Sequence, residues 1–207
     1  MARFCVWCEG ERDTAGLIAQ RALLRVITET AGLPRYGMFL GGGAVIQGTE
    51  YAHREIHSRG LRNDFSLALS TARTVWGVLR NDPAFNRHVD ITLTLDDRAP
   101  VQHDVLILAV STLQRLSFGM TPFWSREPGA IRLTFMEQGC TRFARTFLSI
   151  VRGRPNRNAI PDSGYHSHNT DRLTLAMAGK LNLDGELLDV DGTAFISASP
   201  PLAFLRL

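Results

Sequence analysis

From residue 88 onward the apolar residues recur at every second position in short runs, and this period of two limits the chain to sheet-rich folds. "HVDITLTLD", "HDVLILAVSTL" and "GAIRLTFME" read as strands. From Gly164 to the end the runs "YHSHN", "DRLTLAM", "GKLNLDG", "ELLDV", "AFISAS" and "LAFLRL" are shorter still. Turn signals separate them at Gly179, Asp184-Gly185, Asp191-Gly192 and Pro200-Pro201. Between these strands, Thr141 to Val151 carries Phe143, Phe147 and Ile150 or Val151 at helical spacing.

The first half has a different period. Leu17, Leu24, Ile27 and Ala31 predict an amphipathic helix over 13–30, with Asp13 or Thr14 as N-cap and Gly32-Leu33-Pro34 as its stop. "RYGMFLGGGAVIQG" reads as a strand running into a glycine turn. A basic, His-containing helix over 50–58 follows, and a second helix is capped by Asn63 or Asp64 and stopped by Pro83. The class is α+β, its second half mainly antiparallel sheet.

At 207 residues the chain is long enough to bury a substantial core, and its hydrophobic share of 44% is that of an ordinary globular protein. Lys180 is the only lysine, so the slight net charge of +3 is carried almost wholly by arginine; base composition accounts for such a bias more simply than phosphate recognition does. No apolar run is long enough to span a bilayer, and the N-terminus meets acids before any apolar stretch builds up. The expectation is a cytoplasmic protein with no nucleic-acid partner. Cys5 and Cys8 form a C-x-x-C, but only Cys140 remains as a further thiol, so two reduced cysteines are expected rather than a zinc or redox site.

Several features could carry chemistry. Gly41-Gly42-Gly43 follows an apolar strand, yet the spacing of neither phosphate-loop motif is present; a tight turn or a close backbone approach is expected there. His53 and His57 share a helical face, and His166 and His168 share a strand face, in both cases without evident further ligands; packing or hydrogen bonding is the simpler reading. "LNLDGELLDVDG" gathers Asp184, Glu186, Asp189 and Asp191 around two glycines. Carboxylates held together repel one another, so such a cluster lies either at a solvated hairpin or at a cation site. Asp184 and Glu186, two apart on a strand edge, would face the same way.

Taken together, "YGMFLGGGAVIQGTEYAHREIHSRGLRNDF", "TPFWSREPGAIRL", "RGRPNRNAIPDSGYHSHNTDRLTLAMAGKLNLDGELLDVDG" and "PPLAFLRL" resemble the C-terminal half of the diacylglycerol kinase and sphingosine kinase-like lipid kinases, in their bacterial YegS-type branch. The "LDGE" is the most specific piece, and the likeness runs from about Pro34 to Leu207. It implies a largely β-sandwich lobe of the lipid kinase and NAD kinase-like fold, with two or three helices, over 34–207; residues 1–33 would then be a helical remnant or linker. It also implies that Asp184 is the general base toward a lipid hydroxyl and that Glu186 helps arrange Mg²⁺ and ATP. The lipid is expected in an apolar cleft beside Gly41, Gly42, Gly43, Phe65 and Leu69, at the inner face of the membrane.

The resemblance also implies a nucleotide-binding lobe with a G-G-D-G-T loop, and residues 1–33 are too short to hold one. The chain alone is therefore expected to be inactive as a kinase: it is either a substrate lobe cut short at its start or completed by a separate nucleotide lobe, or a non-catalytic lipid-binding module, with an unrelated small-molecule-binding α+β protein as a third reading. "PFWSREPGAI" resembles a loop that holds a structural metal in some bacterial members; its acid aligns at about Pro128, with Glu127 adjacent.

Overall fold

In the computed structural model, residues 18–46, 89–116 and 119–205 are described. They form eleven strands: β1 (Ile18–Arg21), β2 (Leu24–Thr28), β3 (Arg35–Gly37), β4 (Phe39–Gly43), β5 (Val89–Leu95), β6 (Val101–Ser111), β7 (Ile131–Glu137), β8 (Tyr165–Thr170), β9 (Arg172–Leu183), β10 (Glu186–Ala198) and β11 (Leu202–Leu205). A helix, α1 (Phe143–Val151), a 3₁₀ turn at Pro161–Ser163 and a helical stretch at residues 44–46 complete the described elements. β1 pairs with β11, and the other nine strands form one sheet ordered β3-β2-β10-β9-β4-β6-β7-β8, with β5 pairing both β6 and β9. Every pairing is antiparallel. This is the expected α+β fold built on a mainly antiparallel sheet. No helix among the described residues is long and apolar enough to cross a membrane.

The sheet curls about one core. Leu24, Leu40, Ile91, Val105, Leu108, Leu133, Leu175 and Leu181, drawn from six strands, are each fully enclosed. Burial of one such side chain is worth about 1.5–3 kcal/mol. On the outer face α1 lays Ile150 on Met136 and Tyr165, with Phe143 and Phe147 packed beside them. The helical pattern of Phe143, Phe147 and Ile150 is thus the face that docks on the sheet.

Two expectations are corrected. Residues 18–21 and 24–28 are strands, not helix. Leu24, Val26 and Thr28 are buried while Arg25 and Ile27 are only half-buried, a period of two that the sparser helical spacing had masked. β2 lies between β10 and β3, and those two ladders decide its conformation. Thr28 then starts the turn into β3, its carbonyl accepting the N–H groups of Ala31 and Gly32.

Asp191-Gly192 is not a turn, and neither is Gly179. β9 and β10 pair in an unbroken register from Glu186↔Leu183 to Ser197↔Arg172, with Val190 opposite Gly179 and Gly192 opposite Met177. The glycine serves a close approach instead. At Gly192, with φ +112°, an added Cβ would stand 2.3 Å from Glu29 Oε2, the atom that accepts the Thr193 N–H at 2.9 Å. Four expected short strands are two long ones because unbroken ladder pairing outweighs an isolated glycine.

β4 and β5 share one position in the sheet. β4 occupies the slot between β6 and β9 from Phe39↔Ser111 to Gly43↔Ile107, and β5 continues it from Val89↔Val105 to Leu93↔Val101. Both run in the same direction, so two strands separated by residues 44–88 in the sequence occupy a single strand position. The register of β6 against β7 shifts between Val105 and Ile107, where β4 gives way to β5.

Candidate functional site

The acidic turn is the tip of the β9–β10 hairpin. Asp184 (φ +50°) and Gly185 (φ +101°) are the two central residues between paired Leu183 and Glu186, and positive φ at both is what a type I′ hairpin turn requires. Asp184 is tied to the neighbouring chain: Oδ2 accepts the Met38 N–H at 2.7 Å, Oδ1 accepts the Phe39 N–H at 2.9 Å, and its own N–H donates to the Phe39 carbonyl at 3.0 Å. Gly37 makes room for this, since a Cβ there would lie 2.8 Å from Asp184 Oδ2. From below, buried Asn182 accepts the Gly185 N–H at 2.7 Å through Oδ1. A carboxylate offers about four lone-pair sites, so two backbone bonds leave Asp184 able to accept one more donor on each oxygen.

Glu186 is exposed and reaches Arg35 Nη1 at 3.5 Å. Arg35 and Asn182 are the residues of this site that sequence reasoning missed; their positions follow from the β2–β3 hairpin and the β9–β10 register, neither of which leaves a motif. Asp189 and Asp191 are exposed further along β10. A groove of about 210 Å³ opens beside Arg35, lined by Val26, Thr28, Leu33, Leu187 and Asp189 among others. That is below the few hundred Å³ of a site enclosing a drug-sized ligand.

Gly41, Gly42 and Gly43 are the last three residues of β4 rather than a loop beyond it. Each makes way for the protein's own atoms. An added Cβ would meet Val45 Cγ1 at 2.5 Å from Gly41, Leu108 at 3.2 Å from Gly42, and the Leu106 carbonyl oxygen at 2.2 Å from Gly43. The close approach expected of the triplet is to β6 and to Val45. Phe65 and Leu69, His53 and His57, and Cys5 and Cys8 lie outside the described residues.

A second polar region lies on β7 and β8. Glu127, in the loop before β7, accepts from Arg98 at 3.1 Å, Ser125 Oγ at 3.1 Å and the Asn169 N–H at 3.2 Å, and its Oε2 lies 3.0 Å from His168 Nδ1. These are the partners of the acid adjacent to Pro128, where the resembling loop has its own. Burial pushes the Glu127 carboxyl up, but the hydrogen bonds from Arg98, His168 and Ser125 and the charge of His168 outweigh it and hold the group below its ordinary value. Asp96 is lowered in the same way: burial raises it, and bonds from Thr170 and the Arg172 and Asp171 backbone prevail. Because both folded values are depressed, their contribution is complete above the ordinary carboxylate range and is lost as pH falls through the lower folded values. Denaturant unfolding is therefore expected to show stability falling below about pH 4. Glu127→Gln should reduce that slope, and an unchanged slope would show that these bonds do not set it.

On the same face, His166 faces Glu137 and His103. Glu137 Oε1 is 2.7 Å from His103 Nδ1 and 3.2 Å from His166 Nε2. The His166 ring stacks on Phe135 with centroids 4.4 Å apart. Burial holds the His166 imidazole below its ordinary value against the opposing charge of Glu137, with His103 and His168 adding to the lowering.

No protein-family profile matches the sequence, and no curated protein matches it in sequence. Solved structures do match in three dimensions. A protein of Bacillus anthracis strain Sterne described provisionally as a diacylglycerol kinase superposes with a TM-score of 0.54 at 8% identity, over 88% of this chain and 54% of that one. The fold is of the diacylglycerol kinase type. A second structure so described, also from Bacillus anthracis, gives a TM-score of 0.52 at 10% identity, over 88% of this chain and 55% of that one. The chain thus spans about half the length of the diacylglycerol kinase structures it matches.

Proposed function

We propose that this chain is the lipid-substrate lobe of an ATP-dependent lipid kinase, beginning by residue 18 because β1 and β2 are built into its sheets. The observation that carries the reading is the Asp184-Gly185-Glu186 hairpin tip: two acids of different attachment on a fold shared with diacylglycerol kinases. Asp184 is fixed by two backbone N–H groups while keeping lone pairs free of them, which suits a base that must hold its direction toward a lipid hydroxyl. Mg²⁺ is commonly held by one or two carboxylates together with substrate phosphates, and Glu186, exposed and joined to Arg35 by a long contact, can turn to such an ion. ATP supplies the phosphoryl group, and positioning it is the larger part of such catalysis.

A non-catalytic lipid-binding role is favoured by a different observation: Leu33 and Tyr36, 74% and 52% exposed, flank Arg35 beside the acidic tip. Flotation with diacylglycerol-containing vesicles, together with labelled-ATP transfer by the chain alone and by the chain joined to a diacylglycerol kinase nucleotide lobe, tests both. We expect vesicle binding in each case and phosphorylated lipid only with the added lobe. Vesicle binding without transfer in the joined protein would favour the binding module, and no vesicle binding would sink the lipid assignment.

A further inference from the structure

We propose that His103, Glu137 and His166 form a binding site for one divalent transition-metal ion of the zinc class, clipping β6, β7 and β8 together. One ligand atom from each of the three lies within 4.8 Å of the others. The strands bring them together through the register: Val105 is opposite Glu137, which places His103 diagonally across from it, and Phe135 is opposite His166. No spacing in the sequence links the three, so the H-x-H of β8 looked incomplete when read alone.

The donor set selects the metal. Two imidazole nitrogens and one carboxylate oxygen suit zinc and its neighbours in the first transition row, whereas Mg²⁺ and Ca²⁺ take oxygen ligands. Zinc sites with three protein ligands keep a position open for water or another small ligand. Bonds of about 2.0–2.1 Å at roughly tetrahedral angles put neighbouring ligand atoms about 3.3–3.5 Å apart. The 3.2 Å from His166 to Glu137 is already close to that; the 2.7 Å from His103 needs to open by roughly half an ångström, and the two imidazole nitrogens, which lie within 4.8 Å of each other, need to close by up to about 1.5 Å, both by side-chain adjustment.

One group here lacks a partner among the described residues: His166 Nε2 is buried, and the Glu137 oxygen 3.2 Å away is not aligned for a hydrogen bond to it. A buried polar atom without a partner is uncommon and calls for a physical reason. A metal ion between the three groups would give it a partner. His103 and His166 are 17% and 12% exposed and Glu137 is 31% exposed, so an ion has a way in at the carboxylate side. Phe135, stacked on His166 and tilted against His103, holds both rings in place.

The experiment uses the full chain carrying Cys5→Ser and Cys8→Ser, stripped of metal, because the N-terminal C-x-x-C is the obvious competing ligand. Zn²⁺ is titrated by calorimetry and Co²⁺ by its visible absorption. We expect about one ion per chain and a Tm raised by roughly 5–10 °C at a hundredfold excess over Kd. Affinity should fall at least about tenfold in Glu137→Gln and in His166→Gln, as loss of a direct ligand demands, and should hold in His168→Gln, two residues away on the same strand face. Should a ligand variant fail to fold, the Co²⁺ spectrum of the parent still reports whether nitrogen and oxygen donors bind the ion. The proposal is overturned if the chain shows no saturable binding, if binding disappears with the two N-terminal cysteines, or if Glu137→Gln and His166→Gln bind as tightly as the parent.

Discussion

Asp184→Asn is expected to lower lipid phosphorylation by about a hundredfold or more when the chain is joined to a nucleotide-binding lobe, because the amide cannot take the proton of the attacking hydroxyl. The structure adds a complication that an exposed turn would not have. Both Asp184 oxygens accept backbone N–H groups, from Met38 and Phe39, and Asn keeps only one acceptor oxygen. Losing one such bond costs about 1 kcal/mol, or roughly 2–4 °C in Tm for a chain of this size. Rate and Tm therefore have to be measured on the same protein, with the assay run well below either melting point so that nearly all molecules are folded. A hundredfold fall in turnover under those conditions cannot come from a shift of that size. Unchanged turnover beside a lowered Tm would instead make Asp184 a strand tether, and the kinase role of this residue would fail. Asp191→Asn serves as the comparison, being an exposed position within β10; it should leave both quantities nearly unchanged.

Gly43→Ala should destabilise the protein by about 3 kcal/mol or more, a fall in Tm of roughly 6–12 °C. Two costs add at this position. The backbone is left-handed at φ +65°, which an L side chain resists by about 1–2 kcal/mol, and the new Cβ would lie 2.2 Å from the Leu106 carbonyl oxygen. That oxygen belongs to backbone at the register shift of β6, so it cannot swing aside as a side-chain tip could. Gly32→Ala isolates the first cost: its φ is +67°, but nothing lies within 4 Å of the added atom. The Gly32 variant is expected to lose only about 1–2 kcal/mol. Equal losses at the two sites would show that β6 yields.

The sequence by itself determined the strands β5, β6, β7 and β8, the docking face of α1 and the α+β class. In each of these the burial pattern is local, because every second residue of a strand, or every third to fourth of a helix, faces the core whatever its partners are. It also offered Asp184-Gly185 as one of two Asp-Gly turns, and this one has the positive φ at two successive positions that such a turn demands.

Only the tertiary structure decided the rest. Leu24 to Thr28 fit both a helical and a strand period over five residues, and pairing with β10 and β3 made the choice. Gly179 and Gly192 carry turn chemistry in the sequence but lie inside ladders, because a continuous register over β9 and β10 is worth more than the local freedom of one glycine. The two halves of the β4–β5 position are separated by residues 44–88, so no local window could join them. His103, Glu137 and His166 meet for the same reason: each sits on a different strand, and the contacts between them depend on the register of three strands that the sequence does not record as a spacing.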